Sequence, residues 1–513
     1  MDNSAPFRNE AFWEKLFYFC LASGWVIRIF IALSLDLSPD EAYYWELSRH
    51  PALSYFDHPP MVAYCIAAGR FFFGDTPLAV RLPALLFHPI TTWLVFLLGK
   101  RLPGGNQTGF FGALFMQITV AGNTLGFITT PDVPLSLAWA VSAYALIRCL
   151  ADHRLQWWIL LGMGLGCGAM AKYNMIFFVP GALIIFLVLP EHRRVFSSSH
   201  LWLAAGLAAL GTFPVLYWNS QNEWISFQFQ LSHGFRKSGL NAFSCFAEYL
   251  GGQLVTIGPL LFPLLFFTEF SALKNWRNQG ERLSFALAAI AMPMMAFFAL
   301  NSFRSKVEAN WPKVAYLTVM PLVAEWLLTR PQRKWLWWVA GTSACLMALS
   351  LFQAATLGLP INPKQDVSTR LHGWTEYGKL VQENDLRLGG KGYFFAQGAP
   401  FAAITSFYGK LPPDRIGEVN GSGNWKFWWR DRQLPVGASA VFLDYSPYPE
   451  VPSVGPRFFD KIVASETVPI VSRGKLIRKI NFTNVTGYRG GPMFNSRGLI
   501  PASTPVDPTS RNE

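Results

Sequence analysis

Charge is scarce in this chain. Asp, Glu, Lys and Arg make up 14% of it, where a soluble domain carries about 25%. An ordinary cytosolic enzyme, a fibrous protein and a disordered one are excluded by that shortage, set beside 51% hydrophobic residues and a mean hydropathy of +0.25. Cysteine is also sparse. The six present form no C-x-x-C pair and sit mostly in apolar runs, so a thiolate zinc or redox centre has no support and small buried hydrophobes are expected. There is no G-x-x-x-x-G-K-[ST] loop and hence no ATP motor of that kind. No G-x-G-x-x-G follows a strand, no H-E-x-x-H occurs, and no D-x-D supports a metal-clamped nucleotide sugar. No repeat of fixed period is evident.

What remains is a membrane protein with a soluble part. The chain has 513 residues, 44 of them Phe and 20 Trp, and a net charge of +12. That positive balance is spread along the sequence. It fits a surface facing anionic lipid and gives no stripe for a nucleic-acid partner. Residues 358–513 hold 19 Lys+Arg and 13 Asp+Glu, a soluble density, so the apolar part is expected over 1–357.

A spanning helix needs about 20 apolar residues. About eleven candidates read out, at roughly 13–35, 78–99, 107–128, 132–150, 156–171, 175–190, 200–218, 250–270, 282–301, 311–329 and 335–357. The first is too long for a signal-peptide core and lacks a cleavage site close behind, so it stays in place. With the N-terminus inside, the inner connections hold 14 Lys+Arg and the outer ones 8, which supports that orientation. An odd count then puts the tail outside. Residues 358–487 read as a small α+β domain and 488–513, rich in Gly, Pro, Ser and Asn, as a disordered end.

The outer connections are unusual. Residues 36–77 are too long for a turn and too apolar for a linker. Ser38 suits an N-cap, Pro39 a first turn, and Asp40 and Glu41 a helix N-terminus. Pro59-Pro60 can open a second helix, and both helices are expected to lie along the outer membrane surface. The segment carries Asp40, Glu41, Asp57 and His58 among Tyr43, Tyr44 and other aromatics. Adjacent acids at a membrane surface are costly unless they serve something. A carboxylate can act as base on a hydroxyl, and aromatic faces suit a sugar or an isoprenoid. Capping and solvation are the plainer alternative.

Further along, Asp132 opens an outer helix end in TTPDVPLSL, as a dipole partner or an active acid. Lys172 is a lone cation in AKYN, which either snorkels or binds a phosphate. The later outer loops add Arg236, Arg304, Lys306, Glu308 and Asn310. Their cations can neutralise a lipid phosphate or simply touch headgroups.

The run SPDEAYYWELSRHPALSYFDHPPMVAY, followed by TTPDVPL, AKYN, WNSQNEWISFQFQLSHGF and VEANWPKVAY, resembles in order the bacterial glycosyltransferases related to protein O-mannosyltransferases and to the lipid A aminoarabinose transferases. The resemblance covers roughly residues 10–330 and leaves the tail unmatched. It implies a polytopic α-helical GT-C fold in a bacterial inner membrane, N-terminus cytoplasmic, tail periplasmic. It implies a polyprenyl-phosphate sugar as donor and an inverting transfer to lipid A, another glycolipid or a protein. Asp40 would be the base, with Glu41 in support and Asp132 near the cavity. Lys172 and Arg236 would face the donor phosphate. No cofactor is implied with certainty. A divalent metal at Asp57 and His58 is an open alternative. Two departures put an aminoarabinose substrate in doubt: Tyr43 stands where those transferases carry Arg, and Asp57-His58-Pro59 where they carry Glu-Lys-Pro. A transporter of lipid-linked sugar and an inert scaffold are the competing readings. The first lacks internal symmetry here, and the intact Asp40-Glu41 pair argues against the second.

Overall fold

The computed structural model describes residues 10–235, 239, 241–329, 334–419, 423–429, 432–445, 458–490, 494–495 and 498–499. The protein is a multi-pass helical membrane protein with a small C-terminal sheet. Among the described residues six helices are long and apolar enough to cross a membrane: Glu10–Ser34, Pro77–Gly99, Asp132–Asp152, Ser199–Gln221, Gln279–Asn301 and Lys334–Thr356. Two bent pairs qualify only when joined, and Met61–Phe73, Leu155–Ala171 and Tyr316–Thr329 are shorter apolar helices.

One bent pair corrects the straight span expected at 250–270. Helices Ala242–Thr256 and Leu261–Lys274 meet at 102°. Gly258 at the bend has φ +121°, a conformation open to glycine and strained for other residues. Ser343 Oγ fills the space that a Cβ at Gly258 would need, and the same hydroxyl donates to the Ile257 carbonyl freed at the break, at 3.2 Å. Helices Leu155–Ala171 and Ser199–Gln221 pack closely for a related reason. A Cβ built on Gly211 would lie 2.7 Å from Gly166 Cα, the small-residue contact that lets membrane helices approach.

The chain divides into two compact units that do not follow the break at residue 357. One comprises Met1–Leu33, Ala52–Cys65 and Arg81–Leu351. The other joins Ser34–Pro51 and Ile66–Val80 to Phe352–Glu513, so most of the first outer segment belongs with the tail.

In this second unit a five-stranded sheet has the order β2-β1-β3-β5-β4, with β1 Tyr393–Ala396, β2 Ile416–Glu418, β3 Ala440–Tyr445, β4 Phe459–Ser472 and β5 Lys475–Tyr488. The first three strands run parallel and are buried on both faces, as parallel strands usually are. The long β4–β5 hairpin is antiparallel. Nine of the eleven residues of helix Pro39–Arg49, which belongs to this unit, are buried, which corrects the helix expected to lie along a membrane surface. Its buried Glu46 is compensated by Arg49 at 3.1 Å and by His50 at 3.2 Å, and Arg49 continues to Ser406 Oγ at 2.7 Å. The expected disordered end falls mostly outside the described residues; Lys475–Tyr488 shows that strand structure reaches its first residue.

Candidate functional site

In the first unit the chemistry gathers on Asp132. Residues TTP lead into helix Asp132–Asp152, which starts at this carboxylate. Lys172 follows the last turn of helix Leu155–Ala171 in extended backbone. Lys313 and Asn310 stand in the irregular stretch 302–315 that precedes helix Tyr316–Thr329. Lys172 Nζ lies 2.7 Å from Asp132 Oδ1, and Lys313 Nζ lies 3.2 Å from Oδ2. Asn310 Nδ2 donates to Oδ2 at 3.1 Å. The side-chain exposures are 2% for Asp132, 9% for Lys313 and 14% for Lys172. Two cations therefore share one acid, leaving one net positive charge in a nearly dry place. Such a charge is strongly felt there and suits an anion. Asn174 Nδ2 fixes the irregular stretch by donating to the Trp311 carbonyl at 3.3 Å, and Gln253 Nε2 does so at the Ala309 carbonyl, 3.0 Å.

Also in this unit, the turn at 55–58 closes through Tyr55 N–H to the His58 carbonyl at 3.1 Å. Ser226 Oγ donates to the Tyr55 carbonyl, and Gln230 Nε2 to the Asp57 carbonyl. Asp57 and His58 side chains lie 3.9 Å apart. No group of three His, Cys, Asp or Glu side chains suited to a metal occurs among the described residues.

The second unit carries Asp40 and Glu41 on the helix Pro39–Arg49, and the two diverge. Glu41 is fully buried. Its Oε2 accepts from Ser38 N–H at 2.9 Å, and its own N–H donates to Ser38 Oγ at 3.2 Å, a complete capping box. Asp40, with its side chain 44% exposed, accepts from Arg370 Nη2 at 2.9 Å. Tyr43, expected against substrate, is buried; its hydroxyl accepts from Asn424 Nδ2 at 2.6 Å, and its ring stacks on Trp425. Tyr44 is buried beside it.

Of the residues singled out in the sequence, the fold brings together Asp132, Lys172 and Asn310. Lys306 instead pairs with Glu308 at 3.3 Å, both more than half exposed, and Arg304 is exposed. Arg236 lies outside the described residues. Lys313 and Arg370 escaped the sequence reading. Lys313 stands where the outer loop meets the span expected at 311–329, with nothing local to set it apart, and no local pattern links Arg370 to a residue 330 positions away.

Residues 57–218 match the family described as dolichyl-phosphate-mannose-protein mannosyltransferase. The chain is 26% identical over 329 residues to the lipid A galacturonosyltransferase RgtD of Rhizobium johnstonii, covering 63% of this chain and 66% of that protein. It is 24% identical over 283 residues to the undecaprenyl phosphate-alpha-4-amino-4-deoxy-L-arabinose arabinosyl transferase 1 of Pseudomonas fluorescens, covering 52% and 49%. The aligned stretches thus span half to two thirds of these relatives. The crystal structure of ArnT from Cupriavidus metallidurans bound to undecaprenyl phosphate superposes with a TM-score of 0.61 at 16% identity, covering 93% of this chain and 99% of that one. The chain therefore has the GT-C fold and is similar in sequence, over residues 57–218, to the dolichyl-phosphate-mannose-protein mannosyltransferase family and, over longer stretches, to a lipid A galacturonosyltransferase and an undecaprenyl-phosphate aminoarabinose arabinosyl transferase.

Proposed function

We propose that this protein transfers a sugar from a polyprenyl phosphate to a lipid A-type glycolipid on the outer face of a bacterial inner membrane. The observation that carries the reading is the Asp132–Lys172–Lys313 cluster, a buried acid with two cations and a net positive charge. The relatives whose names specify lipid A or an undecaprenyl phosphate sugar point to the same chemistry.

The reaction needs little from the protein at the leaving group. A lipid phosphate departs as a stable anion, so it requires charge neutralisation and no proton. Lys172 and Lys313 supply that neutralisation, and Asp132 keeps both ammonium groups in place. The acceptor hydroxyl does need a base. Asp40, the exposed member of its pair, takes the proton. The acceptor oxygen then bonds to the sugar C1 as the bond from C1 to the phosphate oxygen breaks. The electron pair leaves on the polyprenyl phosphate, and C1 is inverted. Glu41 serves this step by fixing the helix start that presents Asp40. Arg304 and Lys306, both exposed, are left as headgroup contacts, and the tail faces the periplasm with the N-terminus cytoplasmic.

The test is a transfer assay with purified full-length protein, undecaprenyl-phosphate sugars and lipid A. Sugar-modified lipid A formed with stoichiometric release of undecaprenyl phosphate supports the proposal. Movement of the intact donor across proteoliposome membranes, with no new glycosidic bond, would establish a transporter instead.

A further inference from the structure

The second unit contains a cavity of about 560 Å³ that the transfer chemistry above does not use. Pro39, the residue before Asp40, forms part of its wall, and so do Lys364, Arg370 and Arg478. Against these three cations stands, among the described residues of the wall, one carboxylate, Asp366. That acid is already engaged within the fold: it accepts from Gln353 Nε2 at 2.5 Å and from Ser368 N–H at 2.9 Å. With Asp40 paired to Arg370, the three cations face two carboxylates, and one positive charge remains in excess beside the proposed base.

Arg478 is the rigid part. It is buried, and its guanidinium lies 3.6 Å from the Trp374 ring centroid. It donates to the carbonyls of His372 at 2.9 Å and Thr369 at 2.5 Å. Burial draws its pKa down to about 10, so it remains a cation at neutral pH. Arg370 is the adaptable part. Half exposed, it reaches Asp40 from a short helical turn, Val367–Leu371. Tyr445, the exposed aromatic of the wall, offers a surface that accepts the apolar face of a sugar ring, while Trp374 is buried beneath Arg478. Cations with aromatic faces in a concave site select an anionic saccharide over a neutral one.

We infer that this cavity is the acceptor subsite and holds an anionic sugar headgroup, a phosphate- or carboxylate-bearing saccharide of the glycolipid. The inference rests on Asp40 being the base, because a base must sit within reach of the acceptor hydroxyl. Arg370 then has two partners in turn. In the free protein it pairs with Asp40. When the headgroup arrives its guanidinium turns to the anion, and the Asp40 carboxylate is left to accept the hydroxyl proton.

The experiment measures equilibrium binding to the full-length protein in detergent. The probes are a deacylated, phosphorylated lipid A headgroup, its dephosphorylated form and undecaprenyl phosphate. The variants are Lys364→Glu with Arg370→Gln, and separately Asp40→Asn. The phosphorylated headgroup is expected to bind more tightly than the dephosphorylated one. The double variant should weaken it by roughly tenfold or more while leaving undecaprenyl phosphate unchanged. Unchanged headgroup affinity in the double variant overturns the inference. So does an equal loss for undecaprenyl phosphate, which would make the cavity part of the donor site. Asp40→Asn separates the two claims. If it retains transfer while the double variant loses headgroup binding, the base assignment fails and the cavity stands. If it abolishes transfer while the double variant binds the headgroup normally, the base stands and the cavity assignment fails.

Discussion

Lys313 holds its ammonium 3.2 Å from the Asp132 carboxylate, opposite the 2.7 Å contact from Lys172. The acid thus lies between two cations drawn from segments 40 and 181 residues away in sequence. This arrangement gives Asp132 an organising role in the proposal, because both of its oxygens are already engaged, Oδ1 by Lys172 and Oδ2 by Lys313 and Asn310. A buried carboxylate with this company also makes sense of its 2% exposure, since an isolated charge there would be costly.

Removing Asp132 is expected to harm stability more than removing either lysine. Asp132→Ala leaves two buried cations facing each other, and losing one partner of a buried pair costs about 3–5 kcal/mol. Lys313→Met keeps volume and leaves the Lys172–Asp132 pair intact. Thermal unfolding of the solubilised proteins should place Asp132→Ala lowest. Equal melting of the two variants would contradict the shared-acid arrangement.

Lys172→Ala and Lys313→Ala should each raise the KM for the polyprenyl-phosphate donor by roughly tenfold or more, the scale of one charge-assisted hydrogen bond. Acceptor KM should stay unchanged. Steady-state kinetics with each substrate varied checks both. An unchanged donor KM would return Lys172 to the role of a snorkelling side chain.

Glu41→Ala should behave as a capping variant. Loss of a helix cap costs about 0.5–2 kcal/mol, so the melting temperature should fall while some transfer survives. Glu41→Gln, which preserves much of the capping geometry, should restore most of the stability. If Glu41→Gln were inactive yet as stable as the natural protein, the carboxylate itself would be needed in the reaction.

Asp75 supplies a pH signature. Burial pushes its carboxyl upward, but hydrogen bonds from Arg70 and from the Trp45 indole, with the Arg70 charge, outweigh that and hold it below the ordinary range. A carboxyl lowered on folding stabilises fully above its unfolded value, about 4, and that contribution is lost as pH falls through the lower folded value. The melting difference between the natural protein and Asp75→Asn should hold constant from pH 5 to 8 and shrink below about pH 4. A difference that grows on acidification would contradict the clamp.

Much of the helical layout was legible because apolar length is a local property. The expected spans at 132–150, 282–301 and 335–357 correspond to helices Asp132–Asp152, Arg282–Asn301 and Lys334–Thr356. The two helices of the first outer segment were equally readable from Ser38-Pro39 and Pro59-Pro60, and begin at Pro39 and Met61. The fracture at Gly258 was not readable, since a lone glycine in an apolar run is compatible with a straight helix; the φ of +121° and the Ser343 contact come from tertiary packing. The burial of helix Pro39–Arg49 was hidden for the same reason. Its Glu46–Arg49–His50 compensation and the Tyr43–Asn424 bond depend on partners that only the fold brings near. At the site, Asp132 and Lys172 stood out as lone charges in apolar sequence. Lys313 did not, because it stands where the outer loop runs into the span expected at 311–329, with other cations close by in the loop.

The most direct measurement is mass spectrometry of envelope glycolipids from cells carrying the intact gene, a deletion, or Asp40→Asn at matched expression. The amide is nearly isosteric with the carboxylate but is no base at neutral pH. The account predicts that one sugar mass disappears from the same lipid A-type species in the deletion and in Asp40→Asn. Loss of that sugar in the deletion alone, with full modification in Asp40→Asn, would contradict Asp40 as the base.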